Sequence, residues 1–148
     1  MLQDMLASDH VQSNLLIEQN QYWSVIVPYA ARFSYETWIV PHRKVRSLAE
    51  TSDAEIAELA LCYQRQVRRY DKLFQRSAPN ITVLHNAPCD NDANNEHWCF
   101  HLAFHPPLRD SQKLKFLAGF ESGSNNIVNP MMPEHAATVM RKLVEASI

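Results

Sequence analysis

Hydrophobic and polar positions alternate most clearly around residues 96–107, where Trp98, Phe100, Leu102 and Phe104 share one parity and His97, Cys99, His101, Ala103 and His105 the other. Successive side chains of a strand point to opposite faces, so this alternation predicts a strand with one core face and one face of imidazole and thiol groups. Pro106 and Pro107 end it, because neither can donate to a ladder. Residues 22–28 and 35–41 are rich in β-branched and aromatic side chains, each run ends at a proline, and the six residues between them suit a hairpin-like connection.

A helical period follows. Ser52 and Glu55 have the spacing of a capping box, and Ile56, Leu59, Ala60, Tyr63, Val67, Tyr70 and Phe74 recur at helical spacing to about Gln75, which predicts a long helix with one stripe on the sheet. Residues 81–86 read as the next strand, with Ile81, Val83 and His85 on one face, and Pro88 stops it. A polar, acidic linker with Asp90, Asp92 and Glu96 then returns the chain to the histidine strand, bringing His85 near its polar face; this loop is expected to be mobile. Residues 114–121 read as a further strand in which Lys115, Leu117, Gly119 and Glu121 share a face, with Gly119 allowing a ligand or backbone to come close. Pro133 is placed to open a last helix whose buried stripe is Ala136, Val139, Met140 and Leu143. Residues 1–14 are weakly patterned and are expected to form a short helix or a docking arm ahead of a domain over 15–148. About five or six strands with two helices make an α+β layout.

Composition narrows the classes. A chain of 148 residues fits one domain. The net charge is −2 and the basic clusters at residues 43–46 and 65–69 are balanced by nearby acids, so the footprint of a nucleic-acid binder is missing. A small anionic ligand is compatible with it. Cys62, Cys89 and Cys99 are odd in number and lack Cys-x-x-Cys spacing, which argues against a disulfide framework or a zinc knuckle and suits a reducing cytoplasm. No apolar run approaches the roughly 20 residues of a membrane span, so no membrane partner is expected.

His85, His97, His101 and His105 invite a zinc or iron reading, since neutral imidazoles on one sheet face can converge on a metal, but Ala103 interrupts the series. Partly solvated cleft histidines are the competing reading. Lys115 and Glu121, sharing a parity with Gly119, outline a polar ligand site, against the plainer reading of a solvated sheet face.

Several of these stretches carry a family resemblance. Tyr22-Trp23 through Val27-Pro28-Tyr29, Tyr35-Glu36-Thr37 with Pro41, Arg69-Tyr70-Asp71-x-Leu73-Phe74, His85-Asn86-Ala87-Pro88, His97-Trp98-x-Phe100-His101, Pro106-Pro107-Leu108-Arg109 and Lys115-Phe116-x-x-Gly119-Phe120-Glu121 together resemble the C-terminal half of galactose-1-phosphate uridylyltransferase, in the same order along residues 15–145. The resemblance implies a histidine-triad-like antiparallel sheet with a long crossover helix and a C-terminal helix. It also implies a two-half enzyme, usually a homodimer, that moves UMP between UDP-glucose and a hexose 1-phosphate through a uridylyl-histidine. His85 and His101 match two histidines that help hold a structural zinc or iron in one branch of the family, while the position of a third ligand is Ala103, which cannot coordinate, so that site is expected to be degenerate or lost. Lys115, Phe116, Gly119 and Glu121 fall in the stretch that lines the hexose-phosphate side of the pocket, often reached from the neighbouring subunit, and are the expected substrate-binding residues.

The family's nucleophile is the second histidine of a His-Pro-His motif in the N-terminal half, and no His-Pro-His occurs in this sequence. No catalytic residue is therefore assigned here. The favoured expectation is a C-terminal uridylyltransferase domain, inactive alone, with UDP-hexose and hexose 1-phosphate as ligands and an N-terminal half or a second subunit as partner. The alternatives are a self-sufficient histidine-triad-like nucleotide hydrolase or transferase using His101 or His105, and a non-catalytic nucleotide-sugar binding module.

Overall fold

A computed structural model describes residues 2–89 and 95–145. Five strands form one antiparallel sheet in the order β1-β2-β3-β5-β4: β1 Leu16–Gln19, β2 Trp23–Ile26, β3 Thr37–Pro41, β4 Ile81–His85 and β5 His101–His105. Helix α1 (Leu2–Leu6) and a π-helical turn (Val11–Leu15) precede the sheet, α2 (Asp53–Phe74) crosses from β3 to β4, and α3 (Gly119–Ser124) and α4 (Pro133–Glu145) follow β5. The fold is the α+β one the periodicity predicts, with the antiparallel sheet, long crossover helix and C-terminal helix that the resemblance implies.

The main core lies between one sheet face and helices α2 and α4. Trp23, Val25, Ile39, Phe100, Leu102 and Phe104 meet Leu59, Cys62, Tyr70 and Phe74 of α2 and Ala136, Ala137 and Met140 of α4. The predicted capping box is present, with Ser52 accepting from the Glu55 amide and Glu55 reaching back to the Ser52 amide, which satisfies two of the amides every helix start leaves unpaired. On the opposite face, Leu6, Val11 and Leu15 cover Ile26 and Val40 and leave β5 and β4 open.

The sequence reading departs from the structure at four places. Strand β1 has no counterpart in it. The buried stripe of α2 is rotated: Ile56, Ala60 and Tyr63 are exposed, while Gln66 and Arg69 are buried, because Glu18 of β1 pairs with Arg65 and Arg69 and draws that polar side inward. The histidine strand begins only at His101, since the Trp98 amide closes a turn onto the Asn95 carbonyl and the Phe100 amide leaves for Val45. Residues 114–121 are not a strand. Leu114 makes one bridge to Leu108, and Glu121 accepts from the Ala118 amide, which starts α3 at Gly119 instead of extending a ladder. Asp90 and Asp92 of the acidic linker lie outside the described residues.

Candidate functional site

Register assembles the open face. Trp38 of β3 stands opposite Ala103 of β5, which stands opposite Val83 of β4; His101 pairs with His85, and His105 with Ile81. Residues directly opposite in a ladder project to the same face, so the alternation seen in the sequence places His101, Ala103 and His105 beside Ile81, Val83 and His85 as expected. The two ends of this face differ.

At one end, His85 and His101 stack at 4.5 Å between ring centroids with 13° between their planes, and Trp38 lies 4.7 Å from His101 on the next strand. Burial, joined by the neighbouring His85, pushes the His101 ring below its ordinary value, and burial lowers His85 as well, so both rings favour the neutral form. His101 Nδ1 lies 3.2 Å from the Cys99 carbonyl, to which the neutral ring donates, leaving Nε2 as its acceptor. A pocket of 230 Å³ opens beside this stack, walled by Leu2, Trp38, His97, Trp98, Cys99 and His101. Among the described residues, the implied metal would meet two imidazoles here, with Ala103 on the same face in place of a third ligand, and no group of three or more potential ligands occurs. The described residues alone do not complete the metal centre that the resemblance implies.

At the other end, Glu36 is buried just before β3 and is almost fully bonded. Its Oε2 accepts from the Arg32 amide at 2.7 Å and the Phe33 amide at 3.3 Å, its Oε1 accepts from Trp38 Nε1 at 2.9 Å, and His105 Nδ1 stands 3.5 Å from Oε2. That last contact falls short of a hydrogen bond of good geometry, and His105 Nδ1 is buried without another partner. Burial alone would raise the Glu36 carboxyl, but the interactions with His105, the Arg32 amide and Trp38 outweigh it and hold it below the usual carboxylate value.

His105, Phe33 and Ile81 form part of a cleft of 320 Å³ that also receives Arg32, Lys115, Leu117, Glu121, Asn125 and Asn126. Two of the expected site residues meet here. Lys115 Nζ lies 3.1 Å from Glu121 Oε1 and donates to the Arg32 carbonyl at 2.6 Å and the Val128 carbonyl at 2.9 Å, with the Phe33 ring 5.3 Å away. An ammonium has three N–H groups, and these partners use all three. Glu121 accepts from the Ala118 and Val128 amides as well, and those bonds with Lys115 lower its carboxyl to about 2. The pair therefore ties residues 115–128 to the Arg32 turn.

The other two expected residues do not join the cleft. Phe116 projects outward with 78 % of its surface exposed. A Cβ at Gly119 would meet nothing within 4 Å, so no close approach depends on that glycine. The residues that sequence reasoning did not assign are Glu36 and Arg32. Parity carried the missing signal for Glu36, which shares a face with Trp38 two positions on.

A five-stranded antiparallel sheet with a histidine-bearing strand, crossed by one long helix, defines a histidine-triad-like domain. The match to the family model described as galactose-1-phosphate uridyl transferase, C-terminal domain, runs over residues 1–147, and the chain belongs to that family. It is 36 % identical over 126 residues to galactose-1-phosphate uridylyltransferase of Thermotoga maritima, covering 85 % of this chain and 40 % of the relative. A solved uridylyltransferase mutant superposes with a TM-score of 0.81 at 28 % identity over 90 % of this chain and 44 % of that one. A zinc-bound histidine triad family protein from Mycobacterium smegmatis shares the fold, with a TM-score of 0.67 at 16 % identity over 98 % of this chain and 92 % of that one. The chain thus spans about two fifths of the Thermotoga maritima relative. Among the described residues no helix is long and apolar enough to cross a membrane.

Proposed function

We propose that this domain works in uridylyl transfer, in which UMP passes between UDP-glucose and a hexose 1-phosphate, as the half that builds part of the sugar-phosphate pocket while a histidine of an N-terminal half forms the uridylyl intermediate. The observation that carries the reading is the family match along residues 1–147 in a sequence without His-Pro-His. Nucleophilic catalysis needs a positioned imidazole together with preorganised stabilisation of the developing charge. The open face supplies a stacked, neutral pair in His85 and His101 and a third ring tied to Glu36.

In this reading Lys115 and Glu121 fix the loop, and Phe116 and Leu117 face an N-terminal half or a second subunit. The His85–His101 pair serves as an aromatic wall, with zinc or iron not retained. Three free thiols suit a reducing cytoplasm.

Intact mass after incubating the purified chain with UDP-glucose tests the proposal. No UMP adduct is expected on the chain alone, and transfer is expected once an N-terminal half carrying His-Pro-His is co-expressed with it. A UMP adduct on His101 or His105 of the isolated chain would overturn this reading in favour of a self-sufficient transferase.

A further inference from the structure

We propose that Ser24 and His42 form a second reactive site, a serine nucleophile with its imidazole base, that takes a small uncharged carboxylic ester. Register brings the two together. Ser24 of β2 stands opposite Val40 of β3, and His42 lies two positions beyond Val40 with the same parity, a diagonal neighbour within reach of a long side chain. The His42 amide donates to the Tyr22 carbonyl at 2.8 Å, which carries the pairing of β2 with β3 one residue past the ladder. Hydrogen bonds then fix the tautomer of the ring. His42 Nδ1 lies 3.2 Å from the Gln21 carbonyl, which can only accept, so Nδ1 carries the proton and Nε2, 3.0 Å from Ser24 Oγ, presents its lone pair to the hydroxyl. Nucleophile, base and a third group that orients the base stand in line, the arrangement that activates a serine.

A cavity reaches the hydroxyl. Ser24 is only 2 % exposed, yet with His42 it lines a hollow of 270 Å³ whose other walls are Gln3, Leu6, Ala7, Gln12 and Gln19. None of those five side chains is charged, which suits a neutral ester over one bearing a carboxylate or phosphate. Gln3 Nε2 donates to Cys99 Sγ at 2.8 Å and Gln12 Nε2 to the Leu6 carbonyl at 2.7 Å. Gln19 stands directly opposite Ser24 in the ladder of β1 with β2, and its side-chain amide has no partner among the described residues, so it is the donor left for the ester carbonyl oxygen. In the reaction, Ser24 Oγ bonds to the carbonyl carbon as its proton passes to His42 Nε2. The bond from that carbon to the alcohol oxygen breaks, and His42 returns the proton to the departing alkoxide. Water attacks the acyl group by the same route, giving its proton to His42, and the carboxylic acid leaves as Ser24 takes the proton back. The site uses none of the residues of the histidine face and does not depend on the uridylyl-transfer reading.

The test treats the purified chain with diisopropyl fluorophosphate, in which Ser24 Oγ would bond to phosphorus as fluoride leaves, and locates the adduct by peptide mass spectrometry. Hydrolysis of p-nitrophenyl acetate is followed in parallel. One diisopropylphosphoryl group on Ser24 is expected, with ester hydrolysis that Ser24→Ala removes. His42→Gln, at an exposed position, is expected to slow both labelling and hydrolysis about a hundredfold or more, the share typical of a general base. Circular dichroism shows whether each variant is folded, and the adduct map of the wild-type chain decides the question without any variant. No adduct on Ser24 of the wild-type chain, labelling of Ser24 at the wild-type rate in folded His42→Gln, or hydrolysis at the wild-type rate in folded Ser24→Ala would overturn the inference.

Discussion

Glu36 Oε2 lies 3.5 Å from His105 Nδ1 while the same oxygen accepts the Arg32 amide, so one buried carboxylate couples the turn before β3 to the end of β5. Replacing it by alanine strands the Arg32 and Phe33 amides and Trp38 Nε1. Each buried donor left unsatisfied costs about 1 to 3 kcal/mol, and Glu36→Ala is expected to fall in or above that range by denaturant unfolding. A midpoint unchanged from wild type would show that the bonds are not needed for folding.

Glu18 sets up a second buried charge cluster. It pairs with Arg69, whose side chain is 4 % exposed, and with Arg65, whose side chain is 40 % exposed. Removing the carboxylate leaves Arg69 buried and uncompensated, so Glu18→Ala is expected to destabilise by about 3 to 5 kcal/mol. Arg65→Ala removes only the outer partner and should cost under about 1 kcal/mol. Equal effects of the two variants would mean that water reaches Arg69.

Acid should unfold the domain in two stages. His101 and His85 are held neutral below their ordinary 6.5, so the unfolded chain takes up their protons first and stability falls as pH drops below about 6.5. Glu55, lowered to about 2 by Arg43 and the Ser52 amide, and Glu121, lowered to about 2 by the Ala118 amide and Lys115, act lower down. Their folded values lie below the ordinary 4.5, so their contribution is complete above about 4.5 and is lost as pH falls toward 2. Melting temperature against pH is expected to show both declines, and Glu55→Gln to flatten only the second. A flat profile from pH 7 to 5 would contradict the neutral histidine pair.

Periodicity revealed much of this architecture because β2, β3 and α2 are each built from a pattern that burial enforces locally. The capping box of Ser52 and Glu55, the core parity of Phe100, Leu102 and Phe104, and the last helix from Pro133 were all legible. Residues 114–121 were not, because Lys115, Leu117, Gly119 and Glu121 alternate like a strand while the forces that shape them are long-range: Lys115 reaches the Arg32 carbonyl, and Glu121 the Val128 amide. The same limit hid the rotated stripe of α2, where the buried side of Arg69 depends on a carboxylate in β1. Lys115 and Glu121 were found as cleft residues, but their pairing with each other, and the bonds of Lys115 to the Arg32 and Val128 carbonyls, are visible only once both are placed.

Association is expected to run through the loop that Lys115 and Glu121 hold. Phe116 is 78 % exposed and Leu117 62 %, with Phe120 and Met132 also open to solvent, and exposed apolar side chains gathered on one segment mark a surface that another chain covers. Strand β4 offers a rival route, since it is the sheet edge next to β5 and leaves backbone groups unpaired beside Ile81 and Leu84. The two routes separate by mutation. Phe116→Asp with Leu117→Asp should shift the chain to monomer in sedimentation velocity if the loop is the interface, because a charge buried in an apolar contact is costly without a partner. Ile81→Lys, which places a charge beside the β4 edge, should leave assembly unchanged. The reverse pattern would assign the interface to the sheet edge, and a monomer in every variant, wild type included, would mean that this loop is covered by a different chain or by none.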